Sequence, residues 1–433
     1  MMYPCIQAIL GIVQIHTKRR ICVVLPIAIQ SESGMVWIFG HRLERQGHNR
    51  PLTVAFATGC EVSGLKVNKL HNRQINHSQK QMIMTPKHLK LVTINVWFGM
   101  DGRGVFKIGD YEDPKRKEYR FSILLSGLRQ MRPDVVAVQE ANKLPAYAKK
   151  MASLLDYDAV WKVQNSGVKV MGFGIPVNFT AGNAILAKKD YHLKYLSAQR
   201  LSGKGIQRNY FSVHFKELRN AMAASVEIDG FPIVIFNTQT HFSLIPDEKW
   251  EKAAEDMFQK GQITQQENEK IKTQMQDRHN RTEQDIVKLL YFIKRVIRKY
   301  DYPYVVMGDF NTTTKSSALQ TLITELKLLD PFRIKNPDLD GYTWDPKRNT
   351  NTAYDGSYFW ADGRTPRGPL SRLTAEFDAT TPRRIDFIFL SKHFTSDQIH
   401  QADLIFTEPV DNVFVSDHFG VRVNLKALPK FKI

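Results

Sequence analysis

The chain has 433 residues, 42% hydrophobic and 11% aromatic, with 61 Lys and Arg against 43 Asp and Glu and a formal net charge of +18. That composition is ordinary for a globular protein with a sizeable core, and its charge favours acidic partners such as nucleic acid, an anionic membrane surface or phosphorylated small molecules. All three cysteines, Cys5, Cys22 and Cys60, precede residue 84, which excludes a disulfide framework or a thiol nucleophile for the rest of the chain.

Residues 1–83 carry 10 Lys and Arg against 3 Asp and Glu, with no sustained alternation and no helical stripe. They are expected to be a poorly ordered extension or an over-called start, followed by a catalytic domain over 84–433. The apolar stretch from Pro4 to Gln14 lacks a basic n-region, and no apolar run reaches the roughly 18 residues that span a bilayer. A cytoplasmic location is the default expectation, with secretion left open, and a monomer is expected.

From residue 89 the pattern changes. Short β-branched runs at 89–96, 134–138, 183–187, 221–228, 232–236, 304–307, 384–390 and 421–425 read as strands, several buried on both faces. Helices are expected near 117–131 and over 282–300, where Ile286, Leu289, Leu290, Ile293 and Ile297 share a face. Strands mixed with helices, without strict βαβ alternation, suggest two sheets packed face to face with helices outside. Residues 247–280, rich in Glu, Lys and Gln, read as a solvated helical insertion. Residues 341–382 form a long segment containing Tyr342, Trp344, Tyr354, Tyr358, Phe359 and Trp360, whose aromatics argue against disorder.

Polar residues recur where apolar runs end. Asn95 closes one run, Gln139-Glu140 follow the next, and His241 follows 233–240. Gly308-Asp309-Phe310-Asn311 follow 304–307, and Ser416-Asp417-His418 precede the last run. Carboxylate, amide and imidazole groups gathered along one edge of a layered core suit a hard cation and a phosphoryl group. Asp386 lies inside an apolar run, where an unpaired carboxylate is costly, and His418 is its candidate partner.

This ordered set, Thr93-Ile94-Asn95, Gln139-Glu140, Thr240-His241, Gly308-Asp309-Phe310-Asn311, Arg384-Ile385-Asp386 and Ser416-Asp417-His418, resembles the signature series of the endonuclease/exonuclease/phosphatase superfamily over about 88–427. The resemblance implies a four-layer α/β sandwich, two mostly antiparallel mixed sheets face to face with helices outside. It implies hydrolysis of a phosphodiester by in-line attack of water, with Mg2+ (or Mn2+) as cofactor. Glu140, with Asn95 and Asp417, would hold the metal. Asp309 would activate the water, Asn311 would hold it or a phosphoryl oxygen, His241 would stabilise charge on the phosphate, and Asp386 would pair with His418. The sequence contains no Gly-x-Ser-x-Gly elbow, P-loop or His-Glu-x-x-His motif. One departure is that Asn237-Thr238-Gln239-Thr240-His241 carries two residues more than the family's usual Asn-Thr-His. Glu217 is a weak candidate to support the histidine.

Asn95-Val96-Trp97-Phe98-Gly99 and Tyr342-Thr343-Trp344-Asp345 with Asn349 are similar to sphingomyelinases. Tyr342-Thr343-Trp344-Asp345 with Asn349 and Asn351, and Ser416-Asp417-His418-Phe419-Gly420, are equally similar to tyrosyl-DNA phosphodiesterases. The expected partner is therefore a phosphoester, lipid headgroup or nucleic acid, with peripheral anionic membrane contact open. The segment's Arg364, Arg367 and Arg372 would serve either substrate. A phosphomonoesterase and a non-catalytic binding scaffold are the alternatives.

Overall fold

The structure, a computed structural model, describes residues 13–17, 20–31, 34–43, 54–56, 88–99, 112–166, 169–170, 173–174, 180–208, 212–242, 248–354 and 368–428. Two compact units divide the chain, Met1–Lys80 and Gln81–Ile433. In the first, β1 (Val13–Thr17), β2 (Arg20–Ser31), β3 (Gly34–Leu43) and β4 (Val54–Phe56) form an antiparallel sheet in that order.

The second unit begins with β5 (Leu89–Asn95), α1 (Pro114–Met131), β6 (Val135–Ala141), α2 (Ala146–Leu155) and β7 (Tyr157–Ser166). It continues through β8 (Lys169–Val170), β9 (Phe173–Gly174), β10 (Thr180–Lys188), β11 (Lys194–Gln207), β12 (Ser212–Ile228) and β13 (Phe231–Gln239). Then come α3 (Glu248–Gln259), α4 (Gln265–Tyr300), β14 (Tyr304–Asp309), α5 (Ser317–Leu326), α6 (Pro331–Lys335), α7 (Pro369–Thr380), β15 (Asp386–Leu390), β16 (Ile399–Ile405) and β17 (Gly420–Leu425).

One sheet runs β16-β17-β5-β6-β10-β7 and the other β15-β14-β13-β12-β9-β8, with β11 paired to β12. Only β5–β6 and β13–β14 pair in parallel; the remaining ladders are antiparallel. The period of two in strand side chains sorts residues between layers. Leu91, Ala137, Ile185, Met222, Ile235, Met307 and Ile388 meet between the sheets. Their neighbours Val92, Val136 and Leu186 pack under α1 and α2, while Val234, Phe236, Val306 and Phe389 pack under α4 and α5. The result is a four-layer α/β sandwich. Among the described residues no helix is long and apolar enough to cross a membrane.

The helices start and stop on local chemistry. Asp113 caps α1 by accepting from the Lys115 N–H, Pro114 occupies the first turn, and Arg132 ends the helix in the left-handed region. Thr264 and Glu267 form a capping box at the start of α4. That helix is 36 residues long, so the later part of the charged insertion and the expected 282–300 helix are one element.

The insertion is also less solvated than its composition implies. Trp250, Ala254, Met257, Ile263, Ile271 and Met275 build a separate small core with Leu370 and Leu373 of α7. The long 341–382 segment therefore contains a helix that packs on the insertion. Tyr358, Phe359, Trp360, Arg364 and Arg367 lie outside the described residues.

Candidate active site

The surface between the sheets changes character along the strands. Following the inward-facing positions, Leu89 and Leu91 give way to Thr93 and Asn95, Val135 and Ala137 to Gln139, Ile233 and Ile235 to Asn237 and Gln239, and Val305 and Met307 to Asp309. On the antiparallel strands β10, β12 and β15 the order reverses, and Asn183, Asn220 and Asp386 stand at the polar end. Amides stitch the sheets together just below the site. Gln139 Nε2 donates to Asn237 Oδ1 at 2.7 Å, while Asn237 Nδ2 donates to the carbonyls of Val138 and Ala184 at 3.0 and 2.8 Å.

Asp309 is at the centre. Its Oδ1 accepts the Asn311 N–H at 2.8 Å, and its Oδ2 accepts from Asn311 Nδ2 at 2.9 Å, Asn95 Nδ2 at 3.2 Å and Gln239 Nε2 at 3.4 Å. Burial, reinforced by the charge of Asp386, pushes its pKa up to about 6. The glycine before it is a packing requirement: at φ 139 a Cβ on Gly308 would stand 2.1 Å from the Thr238 carbonyl oxygen on the neighbouring parallel strand.

His418 Nδ1 lies 2.8 Å from Asp386 Oδ2, and both side chains are buried. Burial alone would hold the ring neutral, but Asp386, Asp417 and Asp309 outweigh it and raise the His418 pKa to about 10. That shift favours the imidazolium form. Its Nε2 is 3.5 Å from Asn95 Nδ2. Asn95 Oδ1 accepts the Trp97 N–H at 3.0 Å, which fixes the amide with its NH2 toward the site. With the ring doubly protonated, its Nε2–H and the Asn95 NH2 are two donors side by side, which an acceptor placed between them would satisfy.

Glu140 closes β6 with a left-handed φ of 58. Its Oε1 accepts from Gln239 Nε2 at 2.6 Å and its Oε2 from the Phe98 N–H at 3.4 Å. Burial raises its pKa, with Asp309 adding to the rise and Arg219 and His418 opposing it. Burial, with the charge of Glu140, pushes Asp417 up to about 6. Ser416 Oγ donates to the Asn95 carbonyl at 2.6 Å, tying the segment that carries Asp417 and His418 to the end of β5.

These carboxylates crowd negative charge into a buried space, and a hard, oxygen-seeking divalent cation relieves such crowding. Ligand atoms of Asp309, Asp386 and His418 lie within 4.8 Å of one another, as a metal would require. Two of that trio, Asp386 and His418, are committed to each other, however, and a protonated imidazole cannot ligate a cation. Glu140 and Asp417 are the remaining carboxylates of the cluster, close enough for the charge of Glu140 to act on Asp417.

His241 stands apart from this group. Its N–H donates to Asp285 Oδ2 at 3.0 Å and its carbonyl accepts from Thr282 Oγ1 at 2.7 Å, so its backbone is held by α4. Burial first, then Arg219, Arg281 and Arg278, lower its pKa to about 4 against the opposing charge of Glu217, and the ring is neutral near pH 7. The strand residue that touches the carboxylates is Gln239, two positions earlier. Arg219 of β12 joins it, donating from one terminal nitrogen to Gln239 Oε1 at 3.1 Å and lying 3.5 Å from Glu217 Oε2. The inward parity of β13 is the sequence signal that marks Gln239; nothing local marks Arg219.

A buried acid–amide–imidazole cluster at one end of a four-layer sandwich defines a class of phosphoester hydrolases. The sequence profile described as the Endonuclease/Exonuclease/phosphatase family matches residues 92–418, and the chain belongs to that family. No curated protein matches the sequence at a significant level.

Solved structures similar to the chain include D. rerio TDP2 complexed with single strand DNA product, 17% identical, covering 78% of this chain and 98% of that one with a TM-score of 0.44. Truncated Caenorhabditis elegans TDP2 is 13% identical, with 78% and 97% covered and a TM-score of 0.44. A Bacteroides thetaiotaomicron mannosyl-6-phosphatase is 15% identical, with 77% and 98% covered and a TM-score of 0.44.

Proposed function

We propose that the protein is a divalent-metal-dependent phosphodiesterase that cleaves its substrate by in-line attack of water. The observation that carries this reading is the hydrogen-bonded surround of Asp309. A carboxylate held by Asn311, Asn95 and Gln239, with a pKa near 6, is oriented and basic enough to take a proton at neutral pH. As the water oxygen bonds to phosphorus, its proton passes to Asp309 and the phosphorus–oxygen bond on the opposite side breaks. Asn311 positions the water, and His418 presents its Nε2–H to a phosphoryl oxygen while Asp386 holds the ring.

Glu140 and Asp417, with Asn95 beside them, would hold Mg2+ or Mn2+, which would polarise the phosphoryl group and stabilise the leaving oxygen when bound. Arg219 supplies a fixed positive charge between the carboxylates and His241. With Arg278 and Arg281 near that histidine, it supports an anionic substrate.

The test is hydrolysis by the full chain, with and without EDTA, of sphingomyelin vesicles, 5′-tyrosyl DNA, plain DNA and free phosphomonoesters. Cation-dependent release from a diester, lost in Asp309→Ala and Glu140→Ala, supports the reading. Phosphocholine release identifies a lipid substrate and DNA turnover a nucleic acid. Turnover of monoesters alone, or wild-type rates in either variant, overturns it.

A further inference from the structure

Two arginines one turn apart on α1 reach the loops that carry the site without entering it. Arg120 is 4% exposed and uses all five of its N–H groups. Nε and one terminal nitrogen fork onto Glu112 at 2.6 and 2.5 Å. The remaining donors reach the carbonyls of Val96 at 3.1 Å and Trp97 at 3.3 Å, just after Asn95, and of Val415 at 2.6 Å, just before Ser416.

The guanidinium also lies 4.7 Å from the centre of the Trp97 ring. Gly99, at φ 88, lets the backbone pass this pair, because a Cβ there would stand 2.6 Å from Glu112 Oε2.

Arg116 adds a second arm. It donates to Asn351 Oδ1 at 2.5 Å, and Asn351 Nδ2 donates to the carbonyls of Phe414 at 3.0 Å and Ser416 at 3.2 Å. Asn349 Nδ2 also reaches the Ser416 carbonyl, at 2.9 Å. The circuit closes where Ser416 Oγ meets the Asn95 carbonyl. A buried ion pair is a weak source of stability, since its desolvation cost offsets its attraction and an apolar pair would do as well. The fork instead supplies geometry, fixing backbone carbonyls of two irregular loops against each other.

Resting on the proposed function, we infer that Arg120 with Glu112, and Arg116 through Asn351, are positioning residues that hold the loop after Asn95 and the loop bearing Asp417 and His418 in one register. A lysine at 120 offers three donors from a single point and cannot span both loops.

The experiment compares full-length Arg120→Lys, Arg120→Met and Leu128→Ala, the last a core residue at the far end of α1. Arg120→Lys is expected to lower kcat about a hundredfold with KM changed by no more than about twofold, and Arg120→Met at least as much. Hydrogen exchange should quicken at 96–99 and 414–418 in both Arg120 variants, while β5 and β17 keep their protection. Leu128→Ala should lose thermal stability yet keep kcat within about twofold.

Wild-type kcat in Arg120→Lys, unchanged exchange at the two loops, or an equal kcat loss in Leu128→Ala would overturn the inference. The exchange arm needs no substrate. If wild-type protein hydrolysed no phosphoester, the function would fail while the loop clasp would still be read directly.

Discussion

Asp386 and His418 form a buried ion pair at 2.8 Å in which the imidazole is charged and one carboxylate oxygen, Oδ1 of Asp386, has no protein partner. Removing either member strands the other in a low-dielectric space. His418→Ala is expected to lower turnover by about 10²–10⁴-fold and to cost about 3–5 kcal/mol of stability. The Asp386→Ala/His418→Ala double variant should be less destabilised than the sum of its single variants, read by denaturant unfolding. Additive losses would break the pairing.

Gln239 spans the site, donating to Glu140 and Asp309 while accepting from Arg219. Gln239→Leu keeps most of the volume but leaves all three charged groups short of a partner. Turnover should fall by about a hundredfold, matching the loss of one preorganised donor. Steady-state rates against Gln239→Glu, which keeps the length and adds a repelling charge, make the check; equal rates in the two variants would count against the bridging role.

Gly308 and Gly261 separate close approach from backbone freedom. Gly308→Ala forces a Cβ into the Thr238 backbone, whereas Gly261, at φ 66, has nothing within 4 Å of the added carbon. The Gly261→Ala cost should be about 1 kcal/mol. Gly308→Ala should exceed about 3 kcal/mol or prevent accumulation of folded protein. Thermal unfolding of the purified variants distinguishes the two.

Asp285 gives a pH signature away from the carboxylate cluster. Burial pushes its pKa up to about 6, partly offset by hydrogen bonds from the His241 N–H and Ser202. The folded state thus keeps this proton to higher pH than the unfolded chain does. Its contribution is full below about pH 4 and is lost as pH rises through 6. Asp285→Asn should therefore be more stable than wild type at pH 8, by at most about 3 kcal/mol, and indistinguishable from it near pH 4. Denaturation midpoints across that range test the sign.

The strands legible from sequence are those buried on both faces, such as β5, β6, β13 and β14, because both layers demand apolar residues and leave a continuous run. β7, β11 and β16 were not legible. β7 and β16 lie at sheet edges, β11 pairs with β12 off the main path, and polar residues interrupt all three. The charged insertion read as solvated for a related reason. Its few apolar residues are spread over two helices and meet α7, about a hundred residues later, only in the folded chain.

The sequence by itself determined the sandwich class, the family and the strand-end residues Asn95, Glu140, Asp309, Asn311, Asp386, Asp417 and His418, because hydrophobic period and motif order are local properties of the chain. The pairing of Asp386 with His418 was also legible, because a carboxylate inside an apolar run needs a partner; only the tertiary structure decided the other contacts. It put Gln239 between Glu140 and Asp309, and brought Arg219 and Arg120 to bear on the site. Those relations join residues from distant parts of the chain, and burial sets their charge states. Neither the distances nor the burial exists until the two sheets close on each other.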